Sequence, residues 1–390
     1  MINNTETKTA EPINNNGNKN KWRLPTMDWP LAIIVLTLVG FGLVMVFSSS
    51  YANALYHKGD SFVYIRKQII FAAIGLVVMF VASFVDYHIF HRFAWPLMGV
   101  TLILLVVVLF MPELNDAKRW IVIPAIGTLQ PSDVAKFAVI ILFAHIIATN
   151  HDKMKSFTYG VLPFLVILGV IAGLMLLEPH LSGTILIFAI GAVMMFVGGT
   201  GLLWFAVGIG GAGATVVGAL VLLPDLVPYV ESRLNYWIDP FSDALGKGHQ
   251  TIQSMYAIAS GKLFGRGLGN SVQKHLYVPE PQNDFIFAIT CEELGFVGAL
   301  IVIGLFVALL LRGLYIAIKS KDKFGAMIVV GVVMQITLQA ALNIAVVTNL
   351  IPNTGISLPF FSAGGTSLTM LMGEVGVVLS VSRQSNIYKS

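Results

Sequence analysis

The sequence predicts an all-α polytopic membrane protein with about ten transmembrane helices. Of its 390 residues, 56% are hydrophobic and only 11% are charged, whereas an ordinary soluble domain has about 25% charged residues. Ten apolar runs reach the length needed to cross a bilayer, roughly 17–25 residues. They lie at about 29–48, 67–85, 92–111, 133–149, 157–177, 181–199, 202–223, 285–311, 325–348 and 364–382.

These runs predict a single transmembrane domain at 25–383 between two cytoplasmic tails, 1–24 and 384–390. The leader 1–24 is rich in Asn, Lys and Thr and has no apolar run, which is typical of a disordered tail and not of a cleavable signal. The loop at about 224–284 is longer than ordinary connections. Its segments 229–238 and 250–262 carry patterns that predict two short interfacial or re-entrant helices.

The distribution of basic residues predicts the orientation of the chain in the membrane. With the N-terminus inside, thirteen Lys and Arg residues fall on the cytoplasmic side and five in the short outer loops. Basic residues favour the inside, and long loops cross largely regardless of charge. Both termini are therefore expected to be cytoplasmic, and the loop 224–284 to be extracytoplasmic.

Composition also excludes several kinds of site and partner. The single cysteine, Cys291, excludes an internal disulfide and a cysteine metal cluster. No group of His and carboxylate residues has the spacing of a zinc site. The net charge of +4, without a basic stripe, argues against nucleic acid as a partner.

Asp284 stands where the long loop enters the eighth apolar run. An isolated Asp at such a position most often caps the helix, and the helix dipole favours its ionised form. Small residues Ala288, Cys291 and Gly295 follow on the same helical face, so a neighbouring helix or a lipid tail could pack beneath the carboxylate. Capping and a functional use both remain open for this residue alone.

Three more acids, Glu292, Glu293 and Glu374, lie inside apolar runs. Acids within a membrane are paired or functional. Because neighbouring helical residues point about 100° apart, Glu292 and Glu293 are not expected to share a partner. None of the three is assigned a catalytic role.

Two groups of cations have alternative explanations. The glycine-rich segment 261–269 carries Lys262 and Arg266, so its amides and cations could surround an anion, but a flexible turn explains it equally well. Lys136 lies one turn inside the fourth run, after the helix-start signal of Pro131 and Ser132. It either extends to the water interface or faces a polar cavity that holds an anion.

Polar clusters gather at the predicted outer ends of the runs, at 115–121, 129–137, 178–180 and 353–368. Together with Asp284 they place the cations Lys118, Arg119, Lys136 and Arg266 on one side of the membrane. Cations around a single cavity suit a lipid substrate that carries pyrophosphate better than they suit a solute channel.

These clusters resemble the SEDS family (shape, elongation, division and sporulation proteins: FtsW, RodA and SpoVE). The most specific matches are the run from Gly265 to Lys274, then Asp284-Phe285-Ile286-Phe287-Ala288 and Glu292-Glu293-Leu294-Gly295. The wording Asn270-Ser271-x-Gln273-Lys274 is nearer the FtsW/SpoVE branch. His180, where the family often has Asp, and Ala363, where it often has Tyr, depart from the pattern.

The resemblance implies a peptidoglycan glycosyltransferase that polymerises lipid II and releases undecaprenyl pyrophosphate, in cell division or spore-cortex synthesis. It implies that Asp284 is the catalytic base, which deprotonates the C4 hydroxyl of an acceptor sugar for inverting attack on C1 of the donor. The substrate-binding residues expected beside it are Lys118, Arg119, Lys136, Glu178, Arg266, Lys274 and Ser362. A divalent cation, Mg²⁺ or Mn²⁺, is compatible with the pyrophosphate, although the sequence shows no ligand set for it.

The resemblance also implies partners: a class B penicillin-binding protein, which is a transpeptidase, and other divisome or sporulation membrane proteins. The small-faced eighth and ninth runs are candidates for the transpeptidase interface. Two other functions remain as alternatives, a lipid II flippase or transporter and a scaffold for the transpeptidase. A flippase predicts polar clusters on both membrane faces, and a scaffold does not require Asp284.

Overall fold

The computed structural model describes residues 27–112, 118–123, 127–178, 180–208, 210–211, 235–246 and 248–385. As predicted, the fold is a bundle of long helices. The helices are α1 (Trp29–Lys58), α2 (Val63–Phe84), α3 (His88–Val108), α4 (Pro131–Thr149), α5 (Phe157–Gly160), α6 (Leu162–Leu177), α7 (Leu181–Gly198), α8 (His249–Gly261), α9 (Ile286–Ile318), α10 (Lys323–Val347) and α11 (Thr366–Gln384).

Within these described ranges, eight helical segments are long and apolar enough to cross a membrane: α1, α2, α3, α4, α5 with α6, α7, α9 and α10. The chain is a multi-pass membrane protein. The tenth predicted run forms α11, which is less apolar because it contains Glu374 and Arg383, yet packs along α2. The seventh predicted run, 202–223, is helical at 202–208, and its part from 212 onward lies outside the described residues.

The predicted helix at 250–262 is present as α8, which buries Ile252 and Ala257 against the bundle. The other predicted loop helix, 229–238, is helical at 235–238, and 229–234 lies outside the described residues. The same holds for the leader 1–24. The predicted start of the C-terminal tail, residue 384, is one residue too early, because α11 continues to Gln384. Residues 386–390 lie outside the described residues.

A short hairpin between α3 and α4 departs from the all-helical prediction. Its strands β1 (Ile121–Ile123) and β2 (Gly127–Leu129) pair in antiparallel register, with Ile121 opposite Leu129. Thr366 Oγ1 at the start of α11 donates to the carbonyl of Thr128 at 2.7 Å. The hairpin thereby brings the residues just before β1 close to α4 and α11.

α9 is broken at Gly295, whose φ of 69° and ψ of −168° are not helical. Only glycine adopts this conformation readily. The glycine-rich segment from α8 runs alongside the break and supplies the missing backbone partners. Arg266 N donates to Glu292 O and Phe296 N donates to Lys262 O, each at 2.9 Å. Such pairing is needed because lipid offers no hydrogen bonds to an opened helix.

This close contact between two backbones requires glycine on both sides. A Cβ atom on Gly265 would lie 2.1 Å from Glu293 O, and one on Gly295 would lie 2.3 Å from Gly265 N. Gly265 also has a φ of 77°. The segment is therefore neither of the alternatives expected from its composition, since its amides already donate to α9 carbonyls and its path is fixed.

The opposite end of the bundle is closed by charged pairs. Arg312 near the end of α9 donates to both carboxylate oxygens of Asp28, at 3.0 and 2.8 Å. Asp28 also accepts from Leu31 N and so caps α1. Tyr87 donates to Asp322, which caps α10 through Gly325 N. These contacts fix the ends of α1, α9 and α10 that lie away from Asp284.

We predict that Gly295→Ala destabilises the protein by about 2 kcal/mol or more, because it forces a side chain into a conformation and a space that exclude one. Gly304→Ala on the same helix is the matched control. Its Cβ would meet nothing within 4 Å, so alanine should be neutral or gain up to about 1 kcal/mol from helix propensity. Thermal unfolding in detergent measures both variants, and equal melting temperatures would contradict the assignment.

Candidate active site

One cavity of about 470 Å³ brings together Arg119, Lys136, Asp284 and Ser362. Each comes from a different part of the chain: the start of the hairpin, α4, the entrance of α9, and the segment before α11. Four of the eight predicted site residues therefore line the same cavity. Its volume falls within the range of ordinary ligand pockets.

Asp284 lies just before α9 and does not cap it. The N-cap residue of α9 is Phe285, and no side chain makes a capping bond there. The helix-cap alternative therefore does not apply. Burial, and next the nearby charge of Glu280, raise the pKa of Asp284 to about 6, while Arg119 opposes the shift. A carboxyl with that pKa is mostly ionised at neutral pH and still accepts a proton readily.

Arg119 is half-buried and lies within electrostatic range of Asp284 and Glu178. Burial lowers its pKa, and both carboxylates oppose the shift. Glu178 follows α6 and is fully buried, and neither of its carboxylate oxygens has a hydrogen-bond partner among the described residues. Burial raises the pKa of Glu178 to about 7 against the effect of Arg119. Glu178 is thus placed to act on Arg119, although it does not line the cavity.

Lys136 faces the cavity and does not extend to the membrane surface. Its Nζ lies 2.8 Å from Asp133 Oδ1 and donates to Gln339 Oε1 at 3.2 Å. Both charged side chains are nearly buried. Asp133 balances the charge of Lys136. Arg119 is the cavity cation that interacts electrostatically with Asp284.

The structure does not bring Lys118, Arg266 or Lys274 to this cavity. Lys274 Nζ lies 2.9 Å from Glu293 and donates to Ser48 Oγ of α1 at 3.2 Å. Arg266 is 3.4 Å from Glu292. Arg266 ties the glycine-rich segment, and Lys274 the turn that follows it, to the acids of α9. Neither cation lines the cavity that contains Asp284.

Glu292 and Glu293 contact the same short turn, contrary to expectation. Glu292 accepts from the hydroxyl of Ser271 and from Val272 N, and Glu293 accepts from Ser271 N at 3.4 Å and from Lys274. The turn curls across the helix, so successive residues meet both acids. Their 100° separation does not prevent a shared partner when that partner is a loop.

A row of amides on α10 organises the cavity and was missed in the sequence. Gln339 Nε2 donates to Ser357 O at 3.0 Å, beside its contact with Lys136. Asn343 Nδ2 donates to the carbonyls of Asp284 and Ile356 at 2.7 and 2.6 Å. Gln335 donates to Glu374 at 2.8 Å. The signal was present, because three amides spaced by four residues inside an apolar run mark one polar face.

Ser362, which was predicted, and His180, which was not, belong to the lining of this cavity. Ser362 Oγ donates to Asn283 O at 2.7 Å and accepts from Leu358 N at 2.8 Å, which fixes the segment opposite Asp284. His180 also lines the cavity, although its departure from the family pattern gave it no role in the sequence. Burial, then Arg119 and Lys136, lower the pKa of His180 to about 4, so the ring is neutral.

The arrangement combines a proton acceptor with cations in a partly buried space. Such a site can deprotonate a hydroxyl and stabilise an anionic leaving group. Within the described ranges no group of three or more His, Cys, Asp or Glu residues could hold a metal ion. A divalent cation that arrived with a pyrophosphate would take its remaining ligands from phosphate and water.

Comparisons with known proteins agree with this geometry. The family profile FtsW/RodA/SpoVE, described as cell cycle protein, matches residues 29–387. Stage V sporulation protein E of Bacillus subtilis is 42% identical over 363 residues, covering 92% of this chain and 97% of that protein. A probable peptidoglycan glycosyltransferase FtsW of Trichlorobacter lovleyi is 37% identical, covering 93% of this chain and 94% of the relative.

A solved structure described as "Structural coordination of polymerization and crosslinking by a peptidoglycan synthase complex" contains a similar chain. It superposes with a TM-score of 0.76 at 28% sequence identity, covering 94% of this chain and 99% of that one. The likeness therefore extends over the whole transmembrane domain.

We predict that Lys274→Ala destabilises the protein by about 3–5 kcal/mol, because it leaves Glu293 buried without its counter-charge. Arg266→Ala should cost about 1 kcal/mol or less, since Arg266 is 43% exposed and Glu292 keeps its bonds to the turn. The double variant Lys274→Met with Glu293→Gln should recover most of the loss. Thermal unfolding distinguishes them, and an unaffected Lys274→Ala would show that the pair is not structural.

Proposed function

The chain belongs to the FtsW/RodA/SpoVE family, and we propose that it is a peptidoglycan glycosyltransferase that polymerises lipid II with Asp284 as catalytic base. The observation that carries the proposal is the presence of Asp284, Arg119 and Lys136 on one cavity. The relatives named as FtsW and SpoVE place the chain in the corresponding branch. Its occasion would be cell division or spore-cortex synthesis.

In the proposed reaction, Asp284 takes the proton of the C4 hydroxyl of an acceptor sugar. The hydroxyl oxygen bonds to C1 of the lipid-linked donor, and the bond from C1 to the pyrophosphate oxygen breaks with inversion. The proton ends on the Asp284 carboxylate, and the electron pair leaves with undecaprenyl pyrophosphate. Asn343 holds the Asp284 backbone in place for this transfer, because a base must lie within hydrogen-bond reach of its proton.

The departing pyrophosphate would contact Arg119 first. A guanidinium matches phosphate oxygens in geometry and charge, and Glu178 stands within electrostatic range to orient it. Lys136 supplies a second cation held by Asp133 and Gln339. Cations fixed before the reaction stabilise developing negative charge without reorganisation. Ser362 would support the wall of the cavity opposite the base.

The polar side chains that line the cavity lie at one end of the described bundle, which supports catalysis over transport. At the other end, Asp28 pairs with Arg312 and Tyr87 with Asp322, so these polar groups are engaged with one another. A flippase would need polar contacts for its cargo along the whole path. The proposed topology puts the cavity on the extracytoplasmic side and both termini in the cytoplasm, as the basic residues suggest.

We further propose that the chain works in a complex with a class B penicillin-binding protein. The support is the likeness to a chain of a peptidoglycan synthase complex in which polymerisation and crosslinking are coordinated. A transpeptidase beside the polymerase would receive the new strand directly.

Asp284→Asn should lower the rate of polymerisation of purified lipid II by at least about 100-fold, because it removes the general base. The amide keeps the size of the side chain, so membrane expression and thermal stability should remain. The measurement is glycan polymer formed by the purified chain, with and without a class B penicillin-binding protein. Polymer at the wild-type rate would refute the assignment.

The same residue sets the pH dependence of the wild-type enzyme. The basic form of Asp284 is lost as pH falls through its pKa of about 6. The ratio kcat/KM should therefore be constant above that value and fall tenfold per pH unit well below it. A profile with no inflection between pH 5 and about 7 would point to another base.

Arg119→Ala and Lys136→Ala should each reduce kcat/KM by about 10- to 100-fold, the equivalent of about 1.5–3 kcal/mol for a lost charged hydrogen bond. Lys67→Ala is the control, because Lys67 is an exposed cation of α2 that does not line the cavity. Initial rates at limiting lipid II measure the effect. Wild-type rates in both cavity variants would remove the cations from the mechanism.

A further inference from the structure

A second cavity, of about 730 Å³, lies beside the first and shares Glu280 with it. It is bounded by the end of α1, the start of α2, and residues 276–280 of the loop that leads to Asp284. Glu280 is four residues before Asp284. Its carboxylate accepts from Asn283 Nδ2 at 2.7 Å, and Asn283 lines the first cavity. Glu280 therefore lines both spaces, and its contact with Asn283 fixes its orientation.

The lining of the second cavity has the chemistry of a saccharide site. Tyr56 and Tyr64 provide aromatic rings, Asn53 an amide, and His57 and Lys58 polar nitrogen groups. The C–H faces of pyranose rings pack on aromatic rings, while hydroxyl and acetamido groups bond to amides and charged groups. A lipid chain would need a continuous apolar lining. The apolar residues of the loop wall are Leu276, Val278 and Pro279, of which Val278 is itself fully buried. They stand beside Asn53, His57, Lys58 and Glu280, so the apolar lining is interrupted.

The walls of this cavity are held in place. Lys58 Nζ lies 4.2 Å from the centre of the Tyr64 ring, which joins the end of α1 to the start of α2. Val278 N donates to Gln273 O at 3.0 Å, which ties the loop wall to the turn bound by Glu292 and Glu293. Leu276 and Glu280 have positive φ angles of 67° and 44°. Such backbone conformations persist only where surrounding contacts fix them.

We infer that this second cavity binds the growing glycan strand through the sugars that lie beyond the reacting sugar. The inference rests on the proposed function. A polymerase that extends a strand must hold its product between rounds, and a second contact keeps the strand near the reacting centre at high effective concentration. Glu280 lies where the strand would pass from the first cavity to the second.

Tyr56 offers the sharpest test, because it is 72% exposed and its removal leaves the core intact. Strand length depends on the ratio of extension to release. Loss of one aromatic contact speeds release, so Tyr56→Ala should shorten the strands by about two- to tenfold. The rate of the first coupling between two lipid II molecules should stay within about twofold of wild type, because the first cavity is unchanged.

Tyr51→Ala is the matched control, since Tyr51 is a 42% exposed tyrosine of the same helix outside the cavity. It also tests whether exposed tyrosines here merely anchor the helix at the membrane surface. Cys291 is buried, so Tyr56→Cys labelled with a bulky maleimide should shorten strands and labelled Tyr51→Cys should not. The strands are sized on denaturing gels.

Unchanged strand length in Tyr56→Ala and in the labelled Tyr56→Cys would overturn the inference, as would equal loss of first coupling and of length. A wild-type chain that makes no polymer would contradict the proposed function instead. Saturation-transfer NMR with the N-acetylglucosamine tetramer tests the cavity without catalysis. Signal in wild type and Tyr51→Ala but not in Tyr56→Ala supports it, and equal signals in all three contradict it.

Discussion

The cavity depends on the two hydrogen bonds that Asn343 donates from within the bundle. One amide group holds the carbonyl of Asp284, where the long loop ends, and that of Ile356, in the segment before α11. Both bonds are at least partly buried, and a buried carbonyl left without a partner costs free energy. Gln339, one turn away, joins Ser357 to Lys136 in the same manner. Two neighbouring turns of α10 therefore set the distance between the base, a cation and the facing wall.

Most of the helical architecture could be predicted from the sequence, because a run of apolar residues long enough to span has few other uses. The helix predicted at 364–382 is present as α11, even though it contains Glu374, whose partner Gln335 lies on α10. The hairpin at 121–129 could not be predicted. Its strands have three residues each, too few for a periodic pattern, and it is held by Thr366 more than two hundred residues away.

Prediction of the site divided along a similar line. Asp284, Arg119 and Lys136 were brought together by the single expectation that outer loops meet at one face. Arg266 was misplaced because a cation next to glycines resembles an anion site, and Lys274 was expected there only from the family resemblance. Their partners Glu292 and Glu293 were noticed, but only the folded path of the loop pairs them. His180 was undervalued, since a buried neutral imidazole leaves no mark in a sequence pattern.

The close contact between Gly265 and Gly295 changes what the most recognisable stretch of this sequence means. The run from Gly265 to Lys274 carries the strongest family resemblance, yet its first glycine is needed so that one backbone can contact another. Recognition through main-chain atoms does not depend on the side chains in between. The side chains of Leu263 and Leu268 are both exposed, so replacing them would leave this main-chain contact in place. In this protein the motif that identifies the family serves the packing of the chain, and the proposed catalytic residues lie in other segments.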